Sequence, residues 1–196
     1  MTALEFRPRS TGTIDLEKAQ EGARALLEGL GADLSRSGLA ETPRRIAEAY
    51  AELLTPRPFS FTTFPNEEGY DELVLARSIA FTSVCEHHAL PFIGVAHVGY
   101  LPAQRLLGLS KLARVVEHFA RRLQVQERMT VQIADWLEQE LSPRGVGIVL
   151  DAEHFCMTLR GVQKPGARTT TSALRGRVRE DERTRAEFLS LTKSER

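Results

Sequence analysis

The chain has 196 residues, 42% of them hydrophobic, which is enough apolar side chain for one globular domain, or a small helical region plus a compact core, without covalent staples. Its 26 basic and 26 acidic residues cancel, which argues against a nucleic-acid polyanion or an acidic membrane surface as partner and makes any anion site local. No run approaches the roughly 20 apolar residues of a membrane helix, and Met1–Thr11 lacks the apolar core of a secretory signal, so a cytoplasmic protein is expected.

The polar start, Met1–Thr13, reads as a poorly ordered tail. Leu16, Ala19, Ala23, Leu26 and Leu27 then recur at helical spacing until Gly31, and Thr42-Pro43 reads as an N-cap with proline in the first helical position, opening a helix to Leu54. Residues 59–71, with Pro65, Asn66 and Gly69, read as a linker. Beyond it Leu73, Leu75, Ile79 and Phe81 alternate as in a strand, and a second strand is expected over Ile93–Leu101, where Val95, Gly99 and Leu101 share a parity. Two helical stripes follow, Leu109 to Leu123 and Thr130 to Leu141; the branched run in Gly145–Met157 and the threonine-rich Thr169–Val178 suit strands, and Asp181–Leu191 suits a last helix. This order divides the chain into a tail and helical region, residues 1–70, and an α+β domain, residues 71–196, with an antiparallel sheet and a helix pair on one face.

Only two cysteines occur, too few for a disulfide framework, and in a reducing compartment they point to metal or redox chemistry. Cys85-Glu86-His87-His88 places a thiolate and an imidazole three residues apart in a turn between strands, and His154-Phe155-Cys156 brings the other cysteine at the end of a strand. A site of Cys85, His88 and Cys156 offers Zn²⁺ three ligands and leaves the fourth tetrahedral position to water, the arrangement of a catalytic centre. His87 and His154 are then left beside the metal for proton transfer. Two other readings compete: ordinary buried cysteines with turn histidines, or a closed structural site with His154 as fourth ligand.

Positive side chains at a helix N-terminus oppose the macrodipole, so basic first turns ask for a reason. Arg44 and Arg45 follow Thr42-Pro43; Lys111 and Arg114 follow Gly108-Leu109-Ser110; Arg160 comes just after the second cysteine window. Together they suit a polyphosphate, although arginines on amphipathic helices are commonly just solvated. Glu127 opens a helix, where a carboxylate is favourable anyway; it also has the acceptor pair that a guanine Watson–Crick edge requires and adenine does not match.

The segments Ser83–Phe92 with Gly94, His97–Pro102, Gly108–Lys111, Gln124–Arg128, His154–Met157 with Arg160-Gly161-Val162, Thr169–Thr171 and Glu187-Phe188-Leu189 resemble, in order, the GTP cyclohydrolase I family of the tunnelling-fold (T-fold) class, over about Glu41 to Leu189. The resemblance implies zinc on Cys85, His88 and Cys156, proton transfer by His87 and His154, guanine recognition by Glu127 with Gln126, and a triphosphate among Arg45, Ser110, Lys111, Arg114 and Arg160. It implies GTP as substrate: water activated at the zinc attacks C8 of guanine, His87 protonates N7, C8 leaves as formate and His154 assists ribose opening. An Amadori-type rearrangement with Ser110 as proton relay then gives 7,8-dihydroneopterin triphosphate, the first step toward pterins and tetrahydrofolate. It further implies a toroidal homodecamer with active sites between subunits. Departures are few: Gly99 stands where the family often has alanine, and Gly176-Arg177-Val178 replaces a pattern ending in phenylalanine.

Two alternatives belong to other classes. A zinc nucleoside deaminase would carry His-x-Glu and Pro-Cys-x-x-Cys, which this chain lacks. A T-fold protein that binds a purine or pterin without turnover would leave the full metal set unexplained.

Overall fold

The computed structural model describes residues 3–5 and 13–193. They fall into two compact units, Arg7–Thr55 and Pro56–Arg196, the latter joined by the first residues of the chain. The expected tail lies outside the described residues apart from Thr13 and a strand, β1 (Ala3–Glu5).

The smaller unit is a helix pair, α1 (Leu16–Gly29) and α2 (Thr42–Leu54), packed on each other with Ala23 and Ala47 buried. Asp15 caps α1 by accepting from the Lys18 N–H at 3.0 Å, and Gly31 supplies the positive φ of 84° just past its end. The N-cap of α2 is Glu41, where the sequence suggested Thr42. The Glu41 side chain does not cap the backbone: it accepts from Arg44 at 2.8 Å, while Glu48 holds the same guanidinium at 2.6 Å.

The larger unit is built on a five-stranded sheet in the order β6-β3-β4-β7-β8, from β3 (Val74–Cys85), β4 (Pro91–Leu101), β6 (Leu123–Gln124), β7 (Gly145–His154) and β8 (Arg168–Gly176). It is antiparallel except for the two-residue pairing of β3 with β6, which is parallel. A second sheet, β1-β2-β5, uses β2 (Ser60–Pro65) and β5 (Arg105–Leu107). β2 falls in the stretch expected to be a linker; its partner lies some forty residues on, with Thr63 opposite Leu107, so no local pattern announces it.

Helices α3 (Leu109–Ala120) and α4 (Gln126–Leu141) cover one face of the larger sheet. Leu112, Val115, Val116, Met129, Ile133 and Leu137 are fully buried there against Phe92, Ala96, Val98, Ile148 and Leu150. Each such aliphatic side chain contributes about 1.5–3 kcal/mol relative to exposure. On the other face the short α6 (Arg177–Glu180) and α7 (Glu182–Thr192) set Val178 and Phe188 in a smaller cluster with Leu101 and Val149. Phe188 lies flat over Gly147, where an added Cβ would come within 2.8 Å of three of its ring carbons.

The alternation expected along β3 is interrupted. A bulge between Ala76 and Ile79, with Ser78 at φ 55°, inserts one residue and reverses the parity. Val74, Ala76, Ile79 and Phe81 therefore face the main core, while Leu73 and Leu75 face Phe188.

Candidate functional site

Four chain segments meet at one end of the larger sheet. β3 ends at Cys85 beside Gln124, the last residue of β6, and Phe92, the second residue of β4, stands opposite His154, the last residue of β7. The turn out of β3 is closed by the Cys85 N–H donating to Leu90 O at 2.8 Å and the Ala89 N–H to Cys85 O at 2.9 Å, with Ala89 at φ 52°. This tight return holds Cys85 Sγ 3.7 Å from His88 Nδ1. After His154 the chain coils into one turn of helix, α5 (Phe155–Thr158), which carries Cys156 back toward the same point.

The ligand atoms of Cys85, His88 and Cys156 lie within 4.8 Å of one another, and among the described residues this is the group able to hold a metal ion. Cys85 is buried, Cys156 half-buried and His88 exposed. Burial and the neighbouring Cys85 push the Cys156 thiol above its ordinary value, with Arg160 pulling it back. Two cysteine sulfurs beside an imidazole are a donor set that suits a thiophilic metal. Three donors leave a fourth position for water or substrate.

The two other histidines are held differently. His87 is exposed on the turn, with Nδ1 4.0 Å from Cys85 Sγ and Nε2 3.7 Å from the Glu86 carboxylate. Glu86 also pairs with Arg128, which holds its carboxyl below the ordinary range. His154 stacks on Phe92, ring centroids 4.6 Å apart and planes 4° from parallel, and its Nε2 is 2.7 Å from Gln126 Oε1. Burial lowers its pKa, against an opposing effect of Glu127. His154 is not among the converging donors, so the closed four-ligand reading has no support in this arrangement.

Glu127 is exposed in the first turn of α4, close enough to His154 to act on it electrostatically. Gln126, expected beside it at a guanine edge, is 1% exposed, and its amide is committed to protein partners. Arg160, just after α5, is exposed near Cys156.

Ser110, Lys111 and Arg114 are not brought to this end. They open α3, which is set by the Gly108 N–H donating to Thr62 O at 3.1 Å and the Leu107 N–H to Tyr100 Oη at 2.9 Å. Tyr100 is eight residues along β4 from Phe92, about 26 Å at the usual strand rise. Arg45 is exposed on α2, in the smaller unit.

Fold and site define an α+β protein with a two-cysteine, one-histidine group able to hold a metal ion and two further histidines at its margin. Residues 19–193 match the family model of GTP cyclohydrolase I. The chain is 52% identical over 180 residues to the GTP cyclohydrolase 1 of Aquifex aeolicus, covering 92% of this chain and 98% of that protein. It is 49% identical to the protein of that name from Thermobifida fusca, covering 97% and 98%, and 51% identical to that from Mycobacteroides abscessus, covering 95% of each. The chain belongs to the GTP cyclohydrolase I family, and it is an enzyme, a hydrolase. Among the described residues no helix is long and apolar enough to cross a membrane.

Proposed function

We propose that the protein opens the guanine imidazole ring of GTP by hydrolysis, releasing C8 as formate and forming 7,8-dihydroneopterin triphosphate, the first step toward pterins and tetrahydrofolate. The observation that carries this is the convergence of Cys85, His88 and Cys156 beside His154 in a chain of this family. Zn²⁺ suits the donor set: a tetrahedral ion with ordinary Zn–S and Zn–N bonds separates neighbouring ligand atoms by about 3.6–3.8 Å. The 3.7 Å between Cys85 Sγ and His88 Nδ1 matches that spacing. When bound, the ion supplies Lewis acidity that makes hydroxide available near neutral pH.

The remaining groups have separable tasks. His87, exposed beside the ligands, protonates the purine at N7, and His154 assists opening of the ribose. Glu127 accepts two hydrogen bonds from the guanine Watson–Crick edge; the Gln126 side chain, already committed, is left out of that contact. Arg45, Ser110, Lys111, Arg114 and Arg160 surround the triphosphate, which anchors the substrate and is not cleaved; Ser110 relays a proton in the rearrangement.

The separation of Ser110 and Lys111 from Cys85 along the sheet supports a site shared between copies of the chain, as in a toroidal T-fold homodecamer. We infer a cytoplasmic setting, where the ligand thiols stay reduced. A noncatalytic purine or pterin binder would leave the open coordination position and both histidines without a task. The test is formate release from GTP by the metal-loaded protein, lost on chelation and restored by Zn²⁺; bound metal and bound GTP without formate would refute it.

A further inference from the structure

We propose that Gln126 is a positioning residue that holds the His154 imidazole in its Nε2–H tautomer, leaving Nδ1 as the nitrogen with a free lone pair. The proposal rests on the reading of His154 as a proton-transfer group.

The amide orientation follows from its surroundings. One end of Gln126 faces Leu150 O at 3.2 Å, Thr169 O at 2.9 Å and Thr171 Oγ1 at 3.1 Å. Two of these are backbone carbonyls, which only accept, so the NH₂ group must occupy that end. Oε1 then points to His154 Nε2 at 2.7 Å, and because a carbonyl oxygen cannot donate, the ring nitrogen must carry the proton. The threonines fit the same assignment. Thr130 Oγ1 gives its single proton to Gln126 O at 2.7 Å, so in its 2.7 Å contact with Thr171 Oγ1 the donor is Thr171. Thr171 is thereby left with its lone pairs for the Gln126 amide.

The network is rigid as well as directional. Gln126 and Thr130 are 1% exposed, both on the first turns of α4, and their partners lie on β7 and β8. Phe92 fixes the plane of the imidazole by stacking and Gln126 fixes its rotation within that plane. Reversing the amide would set Oε1 against two carbonyl oxygens at hydrogen-bonding distance. A histidine that must offer one defined nitrogen to a ribose gains from this the tautomer and the direction together.

The test uses the zinc-loaded protein with ¹⁵N-labelled histidine, the His154 signals being assigned by their loss in His154→Gln. Without GTP, the expected wild-type spectrum has Nε2 protonated and Nδ1 unprotonated. Gln126→Met should keep its zinc, show mixed or reversed tautomers, and lose more than about tenfold in kcat with KM for GTP within about threefold. An Nδ1–H wild type overturns the proposal, as does a Gln126→Met protein with unchanged tautomer and kcat, or one whose KM rises at constant kcat as for a lost guanine contact. The wild-type spectrum keeps the test decisive if the methionine variant fails to fold. Because the tautomer is read without substrate, a failure of the GTP reaction would leave this assignment standing, and an active enzyme with Nδ1–H would do the reverse.

Discussion

Acidification should weaken the fold through a residue outside the candidate metal centre. His118 on α3 is 2% exposed, set between the rings of Phe59 at 6.0 Å and Phe119 at 5.1 Å, and its Nε2 accepts from the Arg122 guanidinium. Burial first, and the Arg122 charge second, bring its pKa from 6.5 down to about 4. The folded protein therefore keeps this ring neutral in a range where the unfolded chain protonates it. The unfolded state binds more protons between those two values, so stability falls as pH drops through that window. One group shifted this far contributes a loss of about 2 kcal/mol between about pH 7.5 and about pH 5, approaching about 3 kcal/mol below pH 4. His118→Gln keeps an acceptor opposite Arg122 and cannot titrate. Urea unfolding of both proteins, at one protein concentration and one zinc concentration, gives the comparison: the wild type should lose about 2 kcal/mol more than the variant over that interval. Losses equal to within about 0.5 kcal/mol would refute the reasoning, since metal release and every other titration are common to both proteins.

Further expectations follow from the site. Cys156→Ala removes one of three donors and should abolish metal binding and GTP turnover together, as read by metal analysis and formate release. His87→Ala should keep the metal and lose turnover, because His87 lies outside the converging ligands; a full rate in that variant would remove its acid role. Lys111→Ala and Cys156→Ala proteins, each inactive alone, should regain part of the wild-type rate when dissociated and reassembled together, because their defects fall at opposite ends of one sheet and a site shared between chains can draw intact residues from each. No recovery in verified mixed assemblies would place the whole site within one chain.

Much of this was legible in the sequence, for reasons that differ by element. The long helices announce themselves through their apolar period, and Asp15 and Asp181 cap α1 and α7 where a start was expected. The group able to hold a metal ion could be singled out because both cysteines of the chain occur beside histidines, a pairing that cysteines placed merely as small apolar side chains would meet only by chance. Features that depend on partners remote in sequence stayed hidden. β2 is a strand because β5 pairs with it, and the bulge at Ser78, which sends Leu75 and Phe81 to opposite faces, shows only in the register against β4. Gln126 beside Glu127 looks like part of a ligand-binding pair; only the closure of β7 and β8 over α4 shows that one side chain points inward to His154 while the other stays exposed. Likewise the basic first turn of α3 reads as an anion site, but nothing local tells which end of the sheet it occupies.

The central claim is that this chain opens the purine ring and leaves the triphosphate intact. The direct measurement is a product balance on GTP with the zinc-loaded protein, quantifying formate, oxidised pterin fluorescence and inorganic phosphate in one reaction, with and without chelator. The account expects formate and pterin in equal amounts, no phosphate above background, and loss of both products when the metal is removed. Phosphate release without formate, or ring opening that persists in metal-free protein, would contradict it.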